Sequence, residues 1–303
     1  MTGVWRPGAD PTDHSTPDLE DVRSSVLECG LRLQETLVSD LDPRTLLAYR
    51  PAPEGLAGRV ILVTGAADGI GRAVSLAAAA AGAPVLLLDR EIKRLEMVYD
   101  AIESGGHPQP AIYPLNLEGA TVKDYADLAD NVLQSLGRLD GLVLNAGWAG
   151  TLTPLKYYDP ELWTQVMQAN LNGPVMLTQA VLPMLESSDQ GSVVVSTQNA
   201  RRAFWGAFGI AKAGQDALID ILSREQSGEQ GFIRVNGIDT GPVRTRFRAL
   251  HYPGENPALL PMPEQVVGPY LYFLGPDAGQ ITGQNLSLEG LIEVSEPSTD
   301  TSR

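Results

Sequence analysis

The chain has few of the residues that build metal centres, disulfides and surfaces for polyanions. Its 303 residues include one cysteine, Cys29, and three histidines. An intrachain disulfide is therefore excluded, and neither a cysteine-rich nor a histidine-based metal site is expected. Lysine and arginine number 22 against 37 aspartate and glutamate residues, which gives a net charge of −15. This negative charge argues against nucleic acid and anionic membrane surfaces as partners.

Long apolar runs are also missing from the sequence. No stretch is apolar over the length needed to cross a membrane, and the first residues lack the pattern of a secretory signal. These absences predict a cytoplasmic protein without a membrane anchor. The length leaves room for one large α/β domain together with an extension.

The most informative segment that is present is a glycine-rich motif at residues 64–71 (TGAADGIG). The apolar residues 59–64 before it predict a buried strand, and the alanine-rich residues 70–82 after it predict a helix that ends at Gly82. Glycines between a strand and a helix let the backbone approach a phosphate closely. The helix N-terminus then offers free N–H groups and a positive dipole end. The motif therefore predicts a dinucleotide site.

An acidic residue follows at the expected distance. Residues 84–88 (PVLLL) predict a second strand, and Asp89 comes directly after it. A carboxylate there can accept hydrogen bonds from both ribose hydroxyls of NAD, whereas it repels the 2′-phosphate of NADP. Asp68 adds a second negative charge, while Arg90 could instead bind a 2′-phosphate. Weighing these residues, we expect NAD(H) to be favoured over NADP(H).

The spacing of these glycines resembles that of the short-chain dehydrogenase/reductase family. Further motifs match in order along the chain, although Thr240 stands where the family usually has proline. The resemblance covers about residues 55–292 and implies an α/β fold: a single Rossmann-type, doubly wound parallel sheet with helices on both faces. The matching segments are Asn116-Leu117, Leu144-Asn145-Ala146-Gly147, Asn170, 241–245 and 281–284.

The motifs and the resemblance together define a predicted cofactor site. Its residues come from the glycine loop, the ends of the following strands and the segment expected near the nicotinamide. They are Gly65, Asp68, Gly69, Ile70, Gly71, Asp89, Asn116, Leu117, Asn145, Ala146, Gly147, Lys212, Gly241 and Val243.

The catalytic positions depart from the family pattern. The resemblance implies a serine, a tyrosine and a lysine, with an asparagine that orders a water relay. Lys212 and Asn170 match, but Phe208 stands where the tyrosine is expected and Gln198 where the serine is expected. Phenylalanine has no titratable proton, so it cannot act as the general acid. We therefore expect hydride transfer between alcohols and carbonyls to be weak or absent.

Alternatives to this prediction stay open. Ser196 or Thr197 could serve as the hydroxyl if the alignment shifts by a residue or two. An active NAD(P)-dependent oxidoreductase could also use a substitute proton donor, and a pseudoenzyme could serve as a scaffold or sensor. The candidate donors near the expected substrate mouth are Tyr157, Tyr158, Tyr252 and His251.

The remaining predictions concern organisation. Residues 1–54 form an N-terminal extension, disordered over 1–15 and helical over about 17–40, and residues 293–303 form a flexible tail. The apolar stripe of that helix packs on its own domain, across a homodimer or on a foreign partner. Apolar helices over 161–186 and 204–226 match the subunit contacts of the family and imply a homodimer or homotetramer. The apolar content of 243–268 indicates a partly hydrophobic substrate.

Overall fold

The centre of the fold is a parallel sheet. The computed structural model describes residues 41–228 and 232–292, and within them the sheet has seven strands in the order β3-β2-β1-β4-β5-β6-β7. The disorder, helix and tail predicted for 1–15, 17–40 and 293–303 lie outside the described residues. The strands are β1 (Ile61–Thr64), β2 (Val85–Asp89), β3 (Ala111–Pro114), β4 (Gly141–Leu144), β5 (Ser192–Thr197), β6 (Arg234–Asp239) and β7 (Asn285–Ser287).

Helices cover both faces of this sheet, which confirms the predicted doubly wound α/β fold. The strands β1, β4 and β5 are buried along their whole length, as expected for parallel strands covered on two sides. The helices in the described residues are α1 (Pro43–Ala48), α2 (Gly69–Ala80), α3 (Ile92–Ser104), α4 (Val122–Leu136), α5 (Pro160–Met167), α6 (Gly173–Glu186), α7 (Gly206–Glu225), α8 (Arg246–His251) and α9 (Gly268–Leu274).

Local sequence signals set several of these helix ends. Asp68 caps α2 by accepting the N–H of Gly69, and the Thr121–Asp124 pair forms a capping box at the start of α4. The helix α4 ends at Gly137, whose φ of 72° is a left-handed conformation that glycine adopts without strain. The helix predicted over 161–186 contains a π turn at Gln168–Asn172, which separates α5 from α6.

The residues just before β1 pack on the sheet domain. A compact unit begins at Asp42, so part of the predicted extension belongs to this unit. Leu46 of α1 and Leu56 are buried, and the hydroxyl of Tyr49 donates a 2.8 Å hydrogen bond to Asp277. The division of the chain near residue 54 stays a prediction.

The strand order reverses between β1 and β4. The chain leaves β1 toward β2 on one side and leaves β4 toward β5 on the other, so a crevice opens at the carboxyl ends of these two strands. Ligands of open α/β sheets bind at this switch point. In the described part of the chain, no helix is long and apolar enough to cross a membrane.

Candidate active site

The glycine loop turns tightly between β1 and α2. Gly65 and Gly69 have φ values of 68° and 53°, which glycine adopts more easily than other residues. A Cβ atom on Gly71 would lie 2.2 Å from the carbonyl oxygen of Gly65, so this position accepts no side chain without a shift of the backbone. The loop therefore brings the N-terminus of α2 next to the end of β1.

A hydrogen-bond network joins the ends of β1 and β4 across the crevice. The Thr64 hydroxyl accepts the N–H groups of Asn145 and Ala146 at 2.9 and 3.0 Å. The same hydroxyl donates to the carbonyl of Val143 at 3.2 Å, and the Asn145 side-chain amide donates to the Thr64 carbonyl at 3.2 Å. The network holds the two strands in register at the switch point, and the Asn145 side chain is part of it.

One cleft at this crevice collects nearly all of the predicted site residues. Of the predicted cofactor positions only Gly71 does not line it, because Gly71 lies inside the turn of the loop. Gln198, Phe208 and Lys212 line the cleft, whereas Asn170 lies behind its wall next to Ala169. The structure therefore brings these residues together in one cleft, and their roles as site residues stay predictions.

Asn170 supports the loop that follows β4. Its side-chain amide donates hydrogen bonds of 2.7 Å to the carbonyls of Trp148 and Val166, and its Oδ1 accepts the Trp148 N–H at 3.0 Å. The residue is fully buried in the π turn between α5 and α6. Such turns often occur at functional sites. Here the turn places the Asn170 side chain against the loop and its carbonyl toward α7.

Lys212 is buried at the inner end of the cleft. Its Nζ donates hydrogen bonds to the Ser196 carbonyl at 2.7 Å and to Oε1 of Gln215 at 2.9 Å. Burial lowers the pKa of Lys212 to about 8, although the nearby carboxylates of Asp239 and Asp216 act in the opposite direction. Sequence reasoning missed Gln215, whose spacing of three residues from Lys212 places both on one face of α7.

Phe208 lies one helical turn before Lys212 and is 1% exposed. Its ring packs against those of Trp205 and Phe247, with centroids 5.6 and 5.7 Å away. The ring centroid is 5.6 Å from the Lys212 Nζ. An aromatic ring without a hydroxyl therefore lies next to the buried ammonium.

The hydroxyl groups that line the cleft are all engaged within the described residues. The Ser196 hydroxyl lies 2.8 Å from that of Tyr270, and the Thr197 hydroxyl donates to Oδ1 of Asn285 at 2.7 Å. The hydroxyls of Thr240 and Thr245 donate to main-chain carbonyls at 3.2 and 3.3 Å. Gln198, with its carboxamide, also lines the cleft.

The four candidate substitute donors do not line the cleft. Tyr157 is 69% exposed, and Tyr158 packs edge-on against Trp163. The Tyr252 ring lies under the Arg248 guanidinium, 3.6 Å from its Cζ, and His251 packs on Phe247. Burial lowers the pKa of His251, which favours its neutral form.

Charged residues surround the end of the cleft that contains Asp89 and Arg90. Asp89 accepts the N–H of Glu91 at 3.0 Å and that of Ala67 at 3.4 Å. Asp68 is ion-paired with Arg94 at 2.6 Å. Within the protein, Asp68 thus has a cationic partner, and Asp89 has two main-chain N–H donors. Arg90, paired with Glu118, lines the cleft beside Asp89 and is half-exposed.

A doubly wound parallel sheet with a glycine loop at its switch point defines a dinucleotide-binding class of protein. The family model described as short chain dehydrogenase matches residues 59–255. The chain therefore belongs to the short-chain dehydrogenase family. The uncharacterized oxidoreductase YciK of Escherichia coli K12 is 37% identical over 244 residues, covering 80% of this chain and 96% of that protein.

Solved structures agree with this assignment. A short chain dehydrogenase from Shigella flexneri complexed with NADP is 36% identical with a TM-score of 0.75, over 78% of this chain and 100% of that one. A second, from Escherichia coli CFT073 complexed with NADPH, is 38% identical with a TM-score of 0.75, over 79% of this chain and 100% of that one.

These two complexes overturn one prediction. The expected preference for NAD(H) over NADP(H) is wrong, because these similar proteins were solved with NADP and NADPH. The expectation gave Asp89 and Asp68 too much weight. In the structure Asp68 is ion-paired with Arg94, while Asp89 accepts two main-chain N–H groups and has Arg90 beside it in the cleft, so the two carboxylates are not the only charges there.

Proposed function

We propose that the chain binds NADP(H) in this cleft and carries out alcohol and carbonyl hydride transfer weakly or not at all. One juxtaposition carries the proposal. The cleft joins the glycine loop to the Lys212 ammonium, but the ring beside that ammonium belongs to Phe208 and bears no hydroxyl.

The adenosine and pyrophosphate end fits a dinucleotide. A Cβ on Gly71 would collide with the Gly65 carbonyl, so the loop is tight enough for close approach of a phosphate to the start of α2. Arg90 lines the cleft next to Asp89, where its guanidinium can meet a 2′-phosphate. Two relatives complexed with NADP and NADPH support the same assignment.

The other residues of the cleft would hold the rest of the molecule. Asn116 and Leu117 lie where the adenine is expected, and Lys212 would donate to the nicotinamide ribose. When bound, NADPH supplies a hydride. The remaining proposed contacts are with Gly65, Asp68, Gly69, Ile70, Asn145, Ala146, Gly147, Gly241 and Val243.

The cleft lacks a general acid at the position where the family resemblance implies a tyrosine. A positioned general acid contributes ~10²- to 10⁴-fold to a rate, and Phe208 has no proton to give. Gln198 can donate an amide hydrogen bond to a substrate oxygen but cannot release a proton at neutral pH. Binding of a carbonyl compound is therefore possible without its efficient reduction.

The proposed substrate is partly hydrophobic, and the proposed assembly is a homodimer or homotetramer. Trp148, Phe247 and Leu250 line the cleft beside Phe208, which supports an apolar ligand. Ile210 and Ile221 on α7 are 46% and 56% exposed, which supports a subunit contact along this helix. Large apolar side chains in such positions often mark interfaces.

Calorimetry combined with a turnover assay tests the proposal. The purified protein is titrated with NADPH and NADH, and then mixed with NADPH and a panel of ketones and aldehydes while NADPH absorbance is followed. We expect heat of binding with NADPH, weaker binding of NADH and little loss of NADPH absorbance. Rapid reduction of a simple ketone would contradict the proposal, and so would the absence of NADPH binding.

A further inference from the structure

Gln215 forms a bridge between Lys212 and the π turn. Its Oε1 accepts a 2.9 Å hydrogen bond from the Lys212 Nζ, and its Nε2 donates a 2.6 Å hydrogen bond to the carbonyl oxygen of Asn170. All three residues are buried. Together with the 2.7 Å hydrogen bond from Lys212 to the Ser196 carbonyl, the bridge ties the ammonium to two separate elements of the fold.

The sequence explains why this bridge can form. Lys212 and Gln215 are three residues apart, so they lie on one face of α7. In a continuous α-helix the Asn170 carbonyl would accept the N–H of the residue four positions later, but that residue is Pro174, which has none. The carbonyl is therefore available to a side-chain donor, and the Gln215 amide supplies it.

The chemistry of the bridge matters because a carboxamide is neutral. Its oxygen can hold the ammonium of Lys212 without cancelling the positive charge, and it has no titratable proton to exchange with that group. Asp216 is already bonded to Arg201 and Asn285.

The second carboxylate near the ammonium is also occupied. Asp239, at the end of β6, accepts the N–H groups of Asn199 and Gly241. The other polar group close to this corner is the Tyr270 hydroxyl, which lies against that of Ser196. No carboxylate among the described residues forms a direct ion pair with Lys212.

We propose that Gln215 is a positioning residue. It fixes the Lys212 ammonium in the cleft with a neutral acceptor and so leaves the positive charge available to a bound dinucleotide. The role toward the dinucleotide rests on the proposed NADP(H) binding, whereas the fixing of the Lys212 ammonium concerns the protein alone. The two can therefore be tested separately.

The first test measures the ionisation of Lys212 without cofactor. Lysine side chains are labelled with ¹³C and titrated by NMR in the wild type, Gln215→Glu and Gln215→Met, with Lys212→Arg to assign the signal. A carboxylate should raise the pKa of Lys212 by about one unit or more, and the thioether, which cannot accept well, should lower it. Gln134→Glu, on the exposed face of α4, should leave it unchanged.

The second test measures NADPH affinity across the same pH range. Wild-type affinity should fall as the ammonium is lost, and the pH of this fall should shift in the same order, with Met lowest and Glu highest. If Gln215→Glu and Gln215→Met both fold but leave the pKa of Lys212 unchanged, the inference is overturned. A shifted lysine titration with no NADPH binding in any variant would instead overturn the proposed function together with the role of Gln215 toward the dinucleotide.

Discussion

Replacing Phe208 with tyrosine restores a phenol to a site that already accommodates the ring. The ring centroid lies 5.6 Å from the Lys212 Nζ. If the charge of a phenolate is placed at the ring centroid, a unit positive charge at this distance stabilises it by about 3 kcal/mol at an effective dielectric constant of ~20. This corresponds to a fall in the pKa of the phenol of about two units. Because Phe208 is buried, desolvation opposes this fall, and because the pKa of Lys212 is itself lowered to about 8, the phenol and the ammonium are expected to titrate as a coupled pair.

The same substitution has a stability cost that can be bounded. A buried hydroxyl without a partner costs about 1–3 kcal/mol in the free energy of unfolding. We expect Phe208→Tyr to fold with a reduced melting temperature, and to gain carbonyl reduction of about 10²-fold or more. Adding Gln198→Ser should increase the gain, because a hydroxyl then faces the substrate oxygen as well.

Difference absorbance and a turnover assay measure both effects. The phenol is titrated by the difference spectrum between variant and wild type, and NADPH consumption is followed with a ketone panel. Phe204→Tyr is the matched control, since Phe204 is 58% exposed and lies outside the cleft. Retained NADPH binding without any gain in turnover would refute the reasoning and would mean that the substrate end of the cleft is also altered.

Three further predictions follow from single residues. Arg90→Ala should weaken NADPH binding about tenfold more than NADH binding in calorimetry, whereas Lys93→Ala, exposed and outside the cleft, should change neither. Gly71→Ala should lower the free energy of unfolding by roughly 1–3 kcal/mol and weaken NADPH binding. Gly119→Ala is the control and should do neither, because a Cβ added there has no atom within 4 Å. Burial lowers the pKa of Lys212 to about 8 from its ordinary value of 10.5, so the unfolded chain keeps this proton at higher pH than the folded one. Between pH 8 and 9.5 the free energy of unfolding should therefore rise by about 1–2 kcal/mol relative to Lys212→Met in urea titrations. Equal slopes for the two proteins would contradict the burial of this lysine.

Much of the fold could be predicted from local patterns. The apolar run before Gly65, the alanine-rich helix after Gly71 and the acid at Asp89 each point to the same parallel arrangement, and α/β connections of this kind allow few topologies. The grouping of the candidate residues in one cleft could also be predicted, because residues at the carboxyl ends of β1, β2 and β4 must meet at one edge of the sheet.

The features that sequence reasoning missed depend on side chains meeting in space. The sequence shows Asp89 and Asp68 as two negative charges, but not that one caps N–H groups and the other pairs with Arg94. It shows Gln215 on a helix, but not that the carbonyl of Asn170 lies opposite it. These contacts join positions that are distant in the chain, and the period of a helix or strand does not determine them.

A crystal structure of the protein with NADP⁺ and a ketone would show directly whether any proton donor reaches the substrate oxygen. The measured quantity is the distance from the ketone oxygen to the nearest side-chain hydroxyl or imidazole nitrogen. We expect NADP⁺ along the cleft, with Arg90 at the 2′-phosphate, Lys212 at the nicotinamide ribose and no such proton donor within ~3 Å of the ketone oxygen. A hydroxyl of Ser196, Thr197 or Tyr252 within that distance would contradict it.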